Sequence, residues 1–150
     1  NYYYLNSNNK GGYFKNKING EERKINLLNN IQDLVSTFYF LRKHLNITEL
    51  KPNDYIFVNI FFSAENYPFK MKYLGKEILD TKFGLVECMK FSPFMETGRV
   101  FRDNEGISLW VTSDENRIPI KVKANLRVGS ITADLFRFRG IINPFNIIVE

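Results

Sequence analysis

The sequence predicts a mainly β domain, β-rich α+β in class, in which antiparallel hairpins accompany one helix. Three observations carry that expectation. Phe, Tyr, Ile and Val are abundant, Ala is scarce and Asn is frequent, a mixture that suits pleated sheet joined by turns better than helix bundles. Apolar residues alternate with the strand period in several segments, and the helical period appears only between about residues 30 and 45. Turn signals then recur at hairpin spacing from Gly75 onward with no strand-helix alternation, which excludes a parallel doubly wound sheet. The expected architecture is a strongly curved antiparallel sheet or a barrel-like sandwich with one covering α-helix.

Tyr2 to Leu5 read as a strand and Asn6 to Gly12 as a turn, because Asn and Ser hydrogen-bond their own backbone and Gly admits positive φ. Tyr13 to Ile18 form the next strand, and Asn19-Gly20 is a strong hairpin signal that returns the chain through Glu21 to Leu28. Ile31, Leu34, Val35, Phe38, Leu41 and Leu45 recur at steps of three and four, the pattern of an amphipathic helix. Asn30 is its expected N-cap, with Asp33 in the first turn and Arg42, Lys43 and His44 in the last. Pro52-Asn53-Asp54 mark a turn, and Tyr55 to Phe62, apolar at nearly every position, reads as a strand buried on both faces.

From Tyr67 the chain alternates, with Tyr67, Phe69, Met71 and Tyr73 on one face and Lys70 and Lys72 on the other. Asp80 to Gly84 is a turn, and Leu85 to Phe91 a strand ended by Ser92-Pro93, since proline cannot donate to a ladder. Gly98 to Arg102 reads as a short strand and Asp103 to Gly106 as a turn. Trp110 to Val122 is a β-hairpin: Trp110, Val111 and Thr112 have strand chemistry, Ser113 to Asn116 form a polar turn, and Ile118, Ile120 and Val122 resume alternation. Pro119 belongs at an edge or a bulge. Val128 to Leu135 is the last strand, and Gly140 to Phe145 trail off through Pro144.

With 150 residues, 44% of them apolar, the chain suffices for a single domain spanning its whole length. The net charge of +5 arises from 21 basic and 16 acidic side chains that are interleaved, so no block of like charge marks a nucleic-acid tail. The one cysteine, Cys88, forms no intramolecular disulfide and supplies no thiolate zinc cluster; it reads as a small buried apolar residue. Apolar runs are broken within a few residues by Lys, Asn or Gly, so none has transmembrane length. The chain opens at Asn1 on a strand already under way, which reads as the C-terminal part of a longer polypeptide.

No catalytic constellation stands out. The single histidine, His44, excludes sites built from two or three imidazoles, and its place near a helix C-terminus suits a residue that complements the helix dipole. Gly11-Gly12 have no following phosphate-binding lysine, and no motif implies a cofactor or metal. Glu87 and Asp134, each within a strand, are a carboxylate pair that a sheet could unite for glycoside hydrolysis, which requires them within roughly 10 Å across a cleft. Phe136-Arg137-Phe138-Arg139 interleaves aromatic and basic residues as a single-strand nucleic-acid platform does, and a strand edge with solvated arginines and inward aromatics explains it equally. Asp114, Glu115, Asn116 and Arg117 are first of all turn residues, with Asp and Asn closing Asx turns. The aromatic content, 15%, is the suggestive feature, because surplus Phe and Tyr on a curved sheet can line an apolar cavity. Trp110, Tyr73 and Phe69 are the candidate ligand contacts on that reading.

Several linked motifs carry a family likeness. They are Asp33-Leu34-Val35-Ser36 leading to Leu41-Arg42, Tyr73-Leu74-Gly75-Lys76-Glu77, Thr81-Lys82-Phe83-Gly84 and Cys88-Met89-Lys90-Phe91-Ser92-Pro93. Trp110-Val111-Thr112 with Asp114, Arg117, Ile118 and Pro119, and Val128-Gly129-Ser130 through Ala133-Asp134-Leu135, complete them. Over about residues 30 to 145 the chain resembles the bacterial exported family called domain of unknown function 3108. The resemblance implies a secreted, periplasmic or outer-envelope antiparallel β protein of the kind called YmcC-like, whose members carry a signal peptide and further N-terminal β structure. It implies no activity and no catalytic residues. The expected function is therefore a non-enzymatic binding or structural module for a lipid-like or other apolar ligand, a glycan or an envelope protein, with nucleic acid not among its partners. The alternative is a hydrolase of envelope carbohydrate acting through carboxylates such as Glu87 and Asp134.

Overall fold

A computed structural model describes residues 2–6, 11–15, 18–28, 31–44, 49–62, 65–95, 106–126 and 128–149. The chain is mainly β, antiparallel in its strand pairing, with one helix. Strands β1 (Tyr2–Asn6), β2 (Gly11–Lys15) and β3 (Glu22–Asn26) form a three-stranded sheet in that order. Strands β4 (Tyr55–Phe62), β5 (Glu65–Thr81), β6 (Gly84–Met95), β7 (Ile107–Thr112), β8 (Pro119–Asn125) and β9 (Ser130–Asp134) follow one another in a six-stranded sheet. That sheet is open and of moderate curvature, so of the two architectures expected it is the sheet and not the barrel. Backbone contacts divide the chain into two compact units, residues 1–43 with 57–69 and residues 44–56 with 70–150.

In the first unit, β2 and β3 pair with Lys15 opposite Glu22, and the two side chains form an ion pair. The intervening turn uses the expected residues: the Glu21 N–H donates to the Asn19 side-chain oxygen at 3.1 Å, and Gly20 takes φ +72°. The helix, α1 (Leu34–His44), begins three residues later than the Asn30 cap expected, and Asn30 itself lies outside the described residues. Asp33 is the cap. Its carboxylate accepts the Ser36 N–H at 2.7 Å and the Ser36 hydroxyl at 2.9 Å, satisfying a donor that the first turn leaves open.

The delay has a cause in the backbone just before the helix. Gln32 is bridged in parallel to Ile60, donating its N–H to Asn59 O at 2.9 Å and accepting from Phe61 N at 2.7 Å. Ile31, assigned by periodicity to the helix, instead joins Leu27 and Phe61 in a buried cluster flanked by Ile25. Among the described side chains of α1, Thr37 and Leu41 are buried and Phe38 is exposed. Strand β4 departs from expectation too: Val58, Ile60 and Phe61 are buried, but Phe57 is 64% exposed, so the strand is not buried on both faces. Its apolar composition is a poor guide because it forms an end strand of the six-stranded sheet.

In the second unit, β5 and β6 are joined through Lys82 and Phe83. The Thr81 hydroxyl donates to Gly84 O at 2.8 Å and accepts from Phe83 N at 3.1 Å, closing the turn. Strand β6 runs on through Pro93 to Met95 instead of stopping at Ser92-Pro93. Proline's fixed φ is compatible with an extended chain, and the described β6–β7 pairs end at Phe91, so β7 asks for no N–H at Pro93. The β7–β8 hairpin forms as expected, with a register shift between Trp110 and Val111 and Pro119 opposite Val111. Pro119 thus sits at a bulge of an interior strand. The strand expected at Gly98 to Arg102, and residues 7–10 of the Asn6 to Gly12 turn, lie outside the described residues.

Candidate functional site

Register aligns one row of side chains across the second unit's sheet. Lys90 on β6 pairs with Trp110 on β7, Trp110 with Lys121 on β8, and Lys121 with Asp134 on β9. Directly paired residues share a face, so all four project to the same side. The row ends in ion pairs, Lys90 to Glu77 at 3.2 Å and Lys121 to Asp134 at 3.3 Å, and the Lys90 ammonium stands 4.9 Å from the Trp110 ring centre. Trp110 is buried between the two lysine stems and belongs to a core cluster with Val86, Cys88, Ile118 and Ile120.

The C-terminal segment after β9 packs onto this cluster. Leu135, Phe138, Ile141 and Phe145 lie against it, and Phe83, Phe138 and Phe145 form a trio with ring centres 4.7 to 5.7 Å apart. The hairpin turn grips the same segment. Buried Asn116 donates to Asn143 O at 3.0 Å and Pro144 O at 2.9 Å, and accepts from Asn143 N at 3.1 Å. Asp114 accepts the Thr112 hydroxyl at 2.7 Å and the Asn116 N–H at 3.0 Å with one oxygen, and the Asn146 N–H at 3.3 Å with the other. Ile148 N–H donates to Leu85 O at 2.8 Å. The charged turn is therefore a structural clamp, as turn chemistry suggested, but its reach to residues 143–146 is not readable from spacing.

Beside this packing lies a pocket of about 240 Å³ lined by Leu79, Asp80, Thr81, Lys82, Phe83, Ile120, Leu135 and the Lys121–Asp134 pair. Lys82 holds its ammonium 3.4 Å from the Phe136 ring centre and 5.4 Å from that of Phe83. A second pocket of about 310 Å³ is lined by Glu87, Ser113, Asp114, Asn146, Ile147 and Ile148.

Three groups are shifted by this setting. Burial, reinforced by the carboxylates of Asp114, Glu77 and Glu87, pushes the Cys88 thiol up to about 11, which keeps it protonated and a poor nucleophile. The Ser113 hydroxyl, donating at 2.5 Å, and the Lys76 ammonium at 2.9 Å hold the Glu87 carboxyl below its ordinary range. Glu77 is likewise lowered, by the Trp110 indole N–H and then by Lys90. That indole N–H is buried and directed toward Glu77, yet reaches no partner with full hydrogen-bond geometry.

Two of the candidate ligand contacts, Trp110 and Tyr73, do not converge. Trp110 is in the core, and Tyr73 is buried against Phe91, their ring centres 5.3 Å apart. Alternation along β6 sends Phe91 to the face opposite Lys90 and Trp110, so Tyr73 and Trp110 serve different faces. Phe69 is half-buried and lies on β5 with Tyr73. Glu87 and Asp134 are also separated: Asp134 shares the face of Lys90, and Glu87, three residues before Lys90, lies on the other. They line different pockets and have different cationic partners. The carboxylate pair is thereby corrected, because strand parity keeps the two apart.

Sequence reasoning missed Lys82, Phe83 and Leu79 as pocket residues. The signal was the turn placement of Lys82-Phe83, which was read only as loop chemistry. The segment Phe136 to Arg139 is not a strand; Phe138 packs inward, Phe136 carries Lys82, and both arginines are exposed.

Fold and site together define a mainly β protein with an open antiparallel sheet, a small amphipathic pocket and a buried free thiol. A family model described as "Protein of unknown function (DUF3108)" matches residues 2–135, and the chain belongs to that family. No curated protein and no solved structure matches it. The gripped segment from Phe136 onward lies beyond the matched residues.

Proposed function

We propose that this chain is a non-enzymatic binding module, exported to the bacterial envelope, that takes up a small ligand with an apolar body. The observation that carries this reading is the pocket of about 240 Å³ in which Leu79, Phe83, Ile120 and Leu135 supply apolar wall beside the charged residues Asp80, Lys82, Lys121 and Asp134. Apolar walls with a few placed polar groups are the ordinary make-up of a small-molecule site. Placement in the envelope rests on the chain's family likeness. The described residues include no helix long and apolar enough to cross a membrane, which is compatible with a module working beside one.

Two measurements test the reading. Native mass spectrometry of protein purified without detergent should show a bound small molecule that organic solvent extracts; protein that is ligand-free, and stays so after incubation with envelope lipid extract, would remove the binding function. Fractionation of cells making the full-length gene product should place it in the envelope, and recovery from cytosol alone would remove the localisation. Carbohydrate hydrolysis through Glu87 and Asp134 is set aside on geometry, since the two project from opposite faces.

A further inference from the structure

We propose that Lys82 is the headgroup ligand of the pocket and that its occupant is a medium-chain carboxylic acid, a single-chain anionic amphiphile; this rests on the binding function proposed above. Three features of the site point to it.

The first is the state of the cation. Lys121, which also lines the pocket, is committed to Asp134 at 3.3 Å. Lys82 makes no ion pair among the described residues and is held instead by the faces of Phe136 and Phe83. A ring face orients an ammonium without neutralising it, so its positive charge remains available at the mouth of an apolar pocket.

The second is the disposition of the acids. Asp134 is neutralised by Lys121. Asp80 also lines the pocket, but it follows Leu79, which packs on the core cluster, so strand alternation aims its side chain away from the Leu79 wall. An incoming carboxylate therefore meets Lys82 as the unpaired cation of the lining, with Asp134 already paired and Asp80 projecting away from the Leu79 wall.

The third is size. An apolar cavity of about 150 Å³ accommodates a six-carbon ring, which scales to roughly ten heavy atoms for the space beside Leu79 and Phe83. Ten heavy atoms describe an eight-carbon acid, with the alkyl chain against Leu79, Ile120 and Leu135 and the carboxylate on the Lys82 ammonium.

The test titrates the protein with octanoate, octanol and octylamine, following the methyl resonances of Leu79, Ile120 and Leu135 by NMR and affinity by calorimetry. Octanoate should bind most tightly, octylamine least, and all three should shift those methyls. Lys82→Met should weaken octanoate about tenfold and leave octanol unchanged, and Lys82→Glu should invert the order of octanoate and octylamine. Both substitutions are at an exposed turn position, so the fold is retained. Equal affinity for octanoate and octanol, unaltered by Lys82→Met, overturns the role of Lys82 while the apolar pocket stands. Binding that shifts other methyls, or no binding by any of the three, overturns the pocket itself and with it the headgroup assignment.

Discussion

Asn116 and Asn143 exchange hydrogen bonds across 27 residues of chain: the Asn116 side-chain amide donates to the Asn143 carbonyl at 3.0 Å while its oxygen accepts the Asn143 N–H at 3.1 Å. The same amide also donates to Pro144 O, so one buried side chain satisfies three backbone groups of the C-terminal segment. Asn116→Leu removes all three partners, and with about 1 to 3 kcal/mol for each buried group left unsatisfied, a loss of roughly 2 to 4 kcal/mol is expected after local rehydration. Urea denaturation measures it. Asn116→Asp should also destabilise, because a carboxylate cannot donate to the two carbonyls; a wild-type midpoint in both variants would show that the clamp contributes nothing.

Gly84 opens β6 at φ +111°, a conformation that L residues rarely adopt, and a Cβ there would stand 2.9 Å from the Ile147 Cγ2 atom. Gly84→Ala combines backbone strain with a clash, so destabilisation of about 1 to 3 kcal/mol is expected. Hydrogen exchange at Ile148, whose N–H donates to Leu85 O, should accelerate in the same variant. Unchanged protection there would separate Gly84 from the docking of the tail.

The Glu87 carboxyl lies below its ordinary range chiefly because the Ser113 hydroxyl donates to it, and then because of Lys76. A folded-state pKa below the unfolded one contributes stability that is present above the unfolded value and is lost as pH falls through the folded value. Stability should therefore decline on acidification through and below the carboxylate range. Ser113→Ala should raise the Glu87 midpoint in a carbon-13 titration, and Glu87→Gln should flatten the acid limb. The side chain is partly exposed, so the effect on overall stability is small.

Cys88 behaves in the opposite sense. Its thiol is raised from 9.0 to about 11, so folding favours the protonated form; the contribution is fully present below pH 9 and is lost as pH rises through about 11. Native protein should resist iodoacetamide at pH 8 and react once unfolded in urea. Rapid alkylation of the native thiol would contradict its buried position.

Trp110 is the one tryptophan of the chain, and it is buried in the core cluster. Its emission should be blue-shifted and weakly quenched by acrylamide until unfolding. Trp110→Ala should cost about 3 to 5 kcal/mol, the range for losing a large buried aromatic. Ready quenching in the native state would place the indole at the surface.

The sequence alone determined what is local. Period-two alternation marked the stretches Tyr67 to Tyr73 and Ile118 to Val122, the polar run Ser113 to Asn116 marked the hairpin turn, Pro119 marked an edge or a bulge, and Cys88 was legible as buried because it sits mid-strand. Each of these follows from steric and hydrogen-bonding preferences acting within a few residues. Only the tertiary structure decided which faces those strands share. Register set Trp110 between Lys90 and Lys121, parity parted Glu87 from Asp134, and docking of the tail brought Phe136 over Lys82 and Asn143 onto Asn116. These relationships depend on pairings between distant strands, and a one-residue slip would reverse every one of the facial assignments, so no local pattern could encode them.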